Sequence, residues 1–174
     1  MADQPDGIVL RRHRDLRGRR WHPWLRRALL ALVCLVLVLA LVDVFGQRES
    51  TASTEGPAAS LDVTAPTAVR GGLLFQARFI TEARTELKHA TLVLNRGWLE
   101  GLTVNTIEPS PLNEASQNGN LSLELGHIPA GQKYVLYIEY QVNPTTVGTR
   151  TLRVELDDGN APVAALTRTL RILP

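Results

Sequence analysis

The histidines and carboxylates of this chain are the side chains whose chemistry could define a site, and their spacing argues against one. His13 and His22 precede a long apolar run, and His89 and His127 fall in separate downstream loops. Neither of the latter has a cysteine or a carboxylate pair beside it, whereas zinc needs three or four such ligands brought together. His127, in "GHIPAGQ", is therefore read as a turn residue. Glu108, Glu114 and Glu124, or Asp157 with Asp158, would suit calcium if one loop gathered them. The "DDGN" run lacks the regular oxygen-ligand spacing of a calcium loop and matches a turn instead. The sequence holds no glycine-rich phosphate loop and no Ser-His-Asp grouping, and Asn120-Leu121-Ser122 is a glycosylation triplet of a kind common by chance. The chain is read as a non-enzyme, with no catalytic residue, metal or cofactor expected.

Partner binding is the other chemistry to look for. In "RGWLEGL", Trp98 falls between glycines and outside regular alternation, where an aromatic can serve as an exposed anchor with Leu99 beside it. The competing role for Trp98 is to cap one end of a core. Tyr137 lies on the opposite strand face from Leu136 and Ile138 and is a second candidate contact.

The elements that must position these residues are of two unlike kinds. The run "WHPWLRRALLALVCLVLVLALVDVF" is apolar and uncharged from Ala28 to Val42. Extended to Gly46, it gives a transmembrane helix over 28–46, about 28 Å long, close to the ~30 Å hydrocarbon layer. A cleaved signal peptide would have a shorter apolar stretch and a small-x-small site, for which Val44-Phe45-Gly46 is a poor match. The single cysteine, Cys34, lies inside this run, so the C-terminal half has no disulfide and must rely on its apolar core.

Charge sets the direction of the span. Eight arginines precede Ala28, against Asp3, Asp6 and Asp15, whereas eleven basic and thirteen acidic residues follow Gln47. The positive-inside rule puts the basic tail 1–27 in the cytoplasm and the C-terminal part outside the cell membrane. Arg19, Arg20, Arg26 and Arg27 are read as topology and lipid contacts toward anionic headgroups, with Trp21 and Trp24 at the interfacial belt. The pI near 9 thus describes the tail alone, and nucleic acid is not an expected partner.

Beyond the span, "QRESTASTEGPAAS" has no apolar periodicity and is read as a flexible linker over 47–60. From 61 to 174, short alternating runs separated by turn signals predict an all-β fold, an Ig-like antiparallel β-sandwich of seven or eight strands. "QNGN" and "DDGN" mark hairpins. Arg168 breaks the pattern, sharing a strand face with Leu166, Leu170 and Ile172, and a bulge or a place at the sandwich rim is expected there.

The succession "GGLLFQARFITEARTELKHATLVL", "GWLEGLTV" and "LELGHIPAGQKYVLYIEYQV" resembles the CARDB and related conserved-repeat domains of bacterial surface proteins, over about Asp62 to Leu173. Gly126 to Gln132 carries the best part of the match, a turn into a long strand. The chain departs from that pattern at "TEARTEL", where those domains often carry N-x-G. The resemblance implies an Ig-like sandwich used in adhesion, assembly or spacing at the cell surface, and no catalysis.

Three functions follow as expectations. The first is a single-pass protein presenting the sandwich outside the membrane to a membrane or envelope protein. The second is an accessory subunit that contacts a membrane complex through its helix. The third is a binding module secreted after cleavage near Gln47.

Overall fold

The computed structural model describes residues 21–42 and 47–174, and the chain divides into two units at Gly46/Gln47. The first holds helix α1, His22–Leu41, none of whose residues is buried. It begins six residues before the expected Ala28 because Pro23 is at home in a first helical turn and Trp24 to Arg27 tolerate helix well. Asp43, Val44, Phe45 and Gly46, the expected outer end of the span and its cleavage alternative, lie outside the described residues, as do Arg19 and Arg20.

The second unit is a β-sandwich. One sheet has the order β1-β2-β4-β9-β6, from Glu49–Glu55, Ala59–Pro66, Leu74–Ala83, Lys133–Val142 and Leu102–Glu108. The other has the order β3-β11-β10-β5-β8-β7, from Ala68–Arg70, Ala161–Leu173, Gly148–Asp158, Leu87–Leu94, Asn120–Ile128 and Asn113–Gln117. All pairings are antiparallel except β3 with β11. Alternation puts Phe75, Ala77, Phe79, Leu136, Ile138, Tyr140, Leu152, Val154 and Leu156 into one core between the sheets. The hairpins fall where the turn residues place them. Asn118 and Gly119, at φ 54° and 79°, close β7 on β8, and Gly159, at φ 62°, helps close β10 on β11.

Two expectations are corrected. Residues 47–60 are not a linker, because β1 pairs with β2 along its whole length, from Glu49↔Pro66 to Glu55↔Ser60. Its inward positions are Ser50, Ala52 and Thr54, too small and polar to register as alternation, and Thr51 Oγ1 meets Thr64 Oγ1 at 2.7 Å. Gly56 turns the hairpin where a Cβ would fall 2.1 Å from the Val163 carbonyl oxygen, a position only glycine fits. The second correction concerns Arg168. The β10–β11 register runs unbroken through Leu152↔Arg168, and its one irregularity lies at Leu156/Asp157. Arg168 points inward and is 7% exposed.

An aromatic cluster fills one end of the core. Phe75 stacks on Tyr140 at 5.2 Å, and Trp98 lies 5.3 Å from Phe79 and 5.6 Å from Tyr140, between ring centroids. The Tyr140 hydroxyl is buried without a hydrogen-bond partner among the described residues. Burial pushes its ionisation far above the usual ~10. In the unfolded chain the phenol ionises near pH 10 and in the native core it does not. This stability is therefore intact below pH ~10 and declines above it, by up to ~1.4 kcal/mol per pH unit. Tyr140→Phe removes an unpaired hydroxyl, so we expect it to be neutral or stabilising by about 1 kcal/mol at pH 8 and to reduce the loss at pH 11. Urea unfolding of the detergent-solubilised chain at both pH values, followed by near-UV circular dichroism, checks this.

Candidate functional site

The groups weighed for chemistry are held apart and used structurally. His127 lies on β8, where its Nε2 is 2.9 Å from Glu86 Oε1. The His89 amide donates to Asp158 Oδ1 at 2.7 Å, and the Gly159 amide donates to the His89 carbonyl at 3.0 Å, so "DDGN" organises a turn. Burial, with Glu155 close by, raises the Asp157 carboxyl above the ordinary aspartate range. Glu108 is on β6 in one sheet, while Glu114 and Glu124 are on β7 and β8 in the other. Among the described residues no three His, Cys, Asp or Glu side chains gather as metal ligands. A polar depression lined by Glu55, Asp62, Glu82 and Arg84 is partly compensated, since Arg84 pairs with Glu55 at 2.7 Å and Lys133 with Glu82 at 3.0 Å.

Trp98 is not a surface anchor. It ends a 3-10 turn, Arg96–Trp98, and is fully buried. Gly97 is what permits this, because a Cβ there would lie 2.1 Å from the Thr151 carbonyl oxygen of β10. Gly101, at φ 76°, then returns the chain into β6. The glycines that suggested an exposed loop instead let the turn press onto the sheet and drive the indole inward. Leu99 beside it is half-buried.

Tyr137 is exposed, at 37%, on the outer face of the five-stranded sheet. Its register partners are Arg78 on β4 and Glu108 on β6, which leave an amphipathic ring between opposite charges. Among the described residues of the sandwich Tyr137 is the exposed aromatic, with Tyr134 half-buried on the same strand. Alternation along β9 is enough to find it.

At the start of α1, Trp21 and Trp24 are exposed, and the Arg27 guanidinium lies 5.5 Å from the Trp24 ring centroid, a cation–π pair. The helix is long and apolar enough to cross a membrane by length and composition, the property shared by anchors and signal sequences.

These features define an Ig-like β-sandwich domain preceded by an apolar helix. No protein-family model matches the chain, and no curated protein matches it. Similar solved structures include the CARDB family that the sequence resembles. A CARDB domain from Pyrococcus furiosus, in complex with di-metal ions, is 14% identical at a TM-score of 0.41, covering 68% of this chain and 96% of that one. The reeler domain of human F-spondin is 14% identical at 0.43, covering 69% and 92%. CaCohA2 of Clostridium acetobutylicum is 12% identical at 0.46, covering 72% and 91%.

Proposed function

We propose that this is a non-enzymatic, single-pass membrane protein that holds an Ig-like sandwich outside the cell membrane for contact with a membrane or envelope protein. The observation that carries the reading is α1 itself: twenty residues, apolar, with no buried side chain to explain its composition as core. A helix that is hydrophobic all round and unburied needs lipid or another helix. The arginine-rich flank supports an orientation with the N-terminus inside and the sandwich outside. Tethering confines the sandwich to the neighbourhood of the bilayer and raises its effective concentration toward membrane partners. Tyr137, flanked by Arg78 and Glu108, is the proposed contact on its outer face.

The test uses intact membranes. The chain should stay in the pellet through alkaline carbonate, and protease added outside should remove the C-terminal domain. A photo-crosslinking residue at Tyr137 should yield a discrete adduct with a second protein. Release by carbonate, or a mature N-terminus near Gln47, would overturn the anchor. An adduct only with lipid or with another copy would overturn the contact.

A further inference from the structure

The sandwich leaves five large apolar side chains exposed among the described residues: Leu73, Leu74, Leu112, Tyr137 and Val147. Three of them share one end. Leu73 and Leu74, 45% and 51% exposed, lead into β4, and Val147, 54% exposed, precedes β10. Backbone bonds tie the first of these segments to the end of β9, with the Gly72 amide on the Val142 carbonyl at 3.0 Å and the Val142 amide on the Leu73 carbonyl at 2.9 Å, and Val147 follows in the turn from β9 to β10. The chain also enters the sandwich here, since Gln47 Nε2 donates to the Leu74 carbonyl at 3.2 Å.

Charge is divided along the same axis. The entry end carries Arg48, Arg70, Arg150 and Arg171 against Glu49, while Arg96 and Glu100 offset one another at 3.3 Å. The opposite end, built from the loops after β1, β4, β8 and β10, carries Glu55, Glu82, Glu86, Asp157 and Asp158. Arg84, Lys88 and Lys133 only partly offset these acids. Exposed leucine and valine at the same end as several arginines is the composition of a surface that seats in a lipid interface, with apolar tips at the acyl boundary and guanidinium groups on phosphates.

We infer that this end, with Leu73, Leu74 and Val147 and the arginines Arg70, Arg150 and Arg171, docks on the phospholipid surface from which the chain emerges. The inference rests on the anchored reading above. Length supports it: only seven residues lie between the end of α1 at Leu41 and the start of β1 at Glu49, a reach of at most ~25 Å. The ten residues of β4 alone run ~33 Å from the entry end toward the acidic one. The tether therefore favours contact at the basic, apolar end and keeps the acidic end away from anionic headgroups. The proposed partner face, with Tyr137, is left open to the side.

The full chain in a Cys34→Ala background, carrying an environment-sensitive fluorophore on Leu73→Cys or on Ala130→Cys at the opposite end, tests the docking. It is reconstituted into phosphatidylcholine vesicles, with or without phosphatidylglycerol, that contain nitroxide-labelled lipid. The Leu73 label should be blue-shifted and quenched severalfold more than the Ala130 label, most strongly with phosphatidylglycerol. Arg70→Gln combined with Arg150→Gln should lower the docked-to-free ratio in the mixed vesicles about thirtyfold. If the chain floats with the vesicles while the two labels behave alike, the docking is wrong and the anchor stands. Shielding of the Leu73 label that persists in detergent and grows with protein concentration means that a second copy covers the patch, and also overturns the docking. A chain that does not float at all removes the anchored reading and the docking with it.

Discussion

Trp98→Ala is expected to destabilise the sandwich by about 3–5 kcal/mol, the range for removing a buried aromatic, without selectively abolishing partner capture. The indole is enclosed by Phe79 and Tyr140, and its turn is fixed against Thr151 of β10, so the emptied space cannot collapse easily. Trp98→Phe should retain most of the contacts and cost roughly half as much. Equilibrium urea unfolding supplies the number, and photo-crosslinking from Tyr137 in the same variants supplies the contrast. Crosslinking should survive in the fraction that remains folded. An unchanged unfolding midpoint together with a lost adduct would return Trp98 to the role of partner anchor. Gly97→Ala should resemble Trp98→Ala in sign, because the added methyl forces the turn off β10.

The reading of Trp98 shows where the sequence is legible and where it is not. Eight strands, β2, β4, β5, β6, β8, β9, β10 and β11, announce themselves by alternation, since burying one face of a sheet forces period two. The remaining three, β1, β3 and β7, are edge strands, as is β6, which Leu102, Val104 and Ile107 still mark. An edge has one neighbour and little core behind it, so Ser, Thr, Asn and Gln suffice, and they leave no apolar rhythm in "ESTASTE" or "NEASQ". The same rhythm in "LLFQARF" would set Leu73 on the inner face with Phe75, yet β4 starts one residue later and Leu73 is exposed. Glycine spacing is ambiguous for a further reason. It signals a backbone that must turn or approach closely, but the direction of the neighbouring side chain depends on what lies across the gap. For Trp98 that is the Thr151 carbonyl, distant in sequence. Tyr137 needed no such information, being fixed by parity along β9.

Arg168→Ala is expected to cost about 2–4 kcal/mol and to loosen β1 more than the rest of the sandwich. The guanidinium crosses from β11 to the facing sheet. Its Nη1 donates to the carbonyls of Ser50 and Val63 at 3.2 and 3.1 Å, and its Nη2 to Ser50 Oγ at 3.1 Å and to the carbonyls of Ala65 and Pro66 at 2.5 and 3.3 Å. The register of β2 with β4 stops at Thr64, so beyond it Ala65 and Pro66 have only β1 as a strand neighbour, and Arg168 supplies donors on the other side. The buried charge is met by carbonyl dipoles, with no carboxylate among these partners, and burial lowers its pKa from the usual arginine value. Removing the side chain strands several carbonyls, each worth ~1–3 kcal/mol if left unsatisfied, although β1 can relax toward water and recover part of that. This relaxation gives the prediction its signature. Amide exchange across Glu49–Glu55 should accelerate well beyond the change in global stability, while the amides of β4 and β9 follow the global term alone. Arg168→Lys keeps the charge but offers a compact ammonium in place of a planar fork, and should fall between wild type and alanine. Arg168→Met tests the division of roles, since it fills the space without donors. If Met restored both stability and β1 protection, the arginine would be acting through its volume; if it behaved like alanine, the carbonyls it serves are what hold the entry strand in the fold.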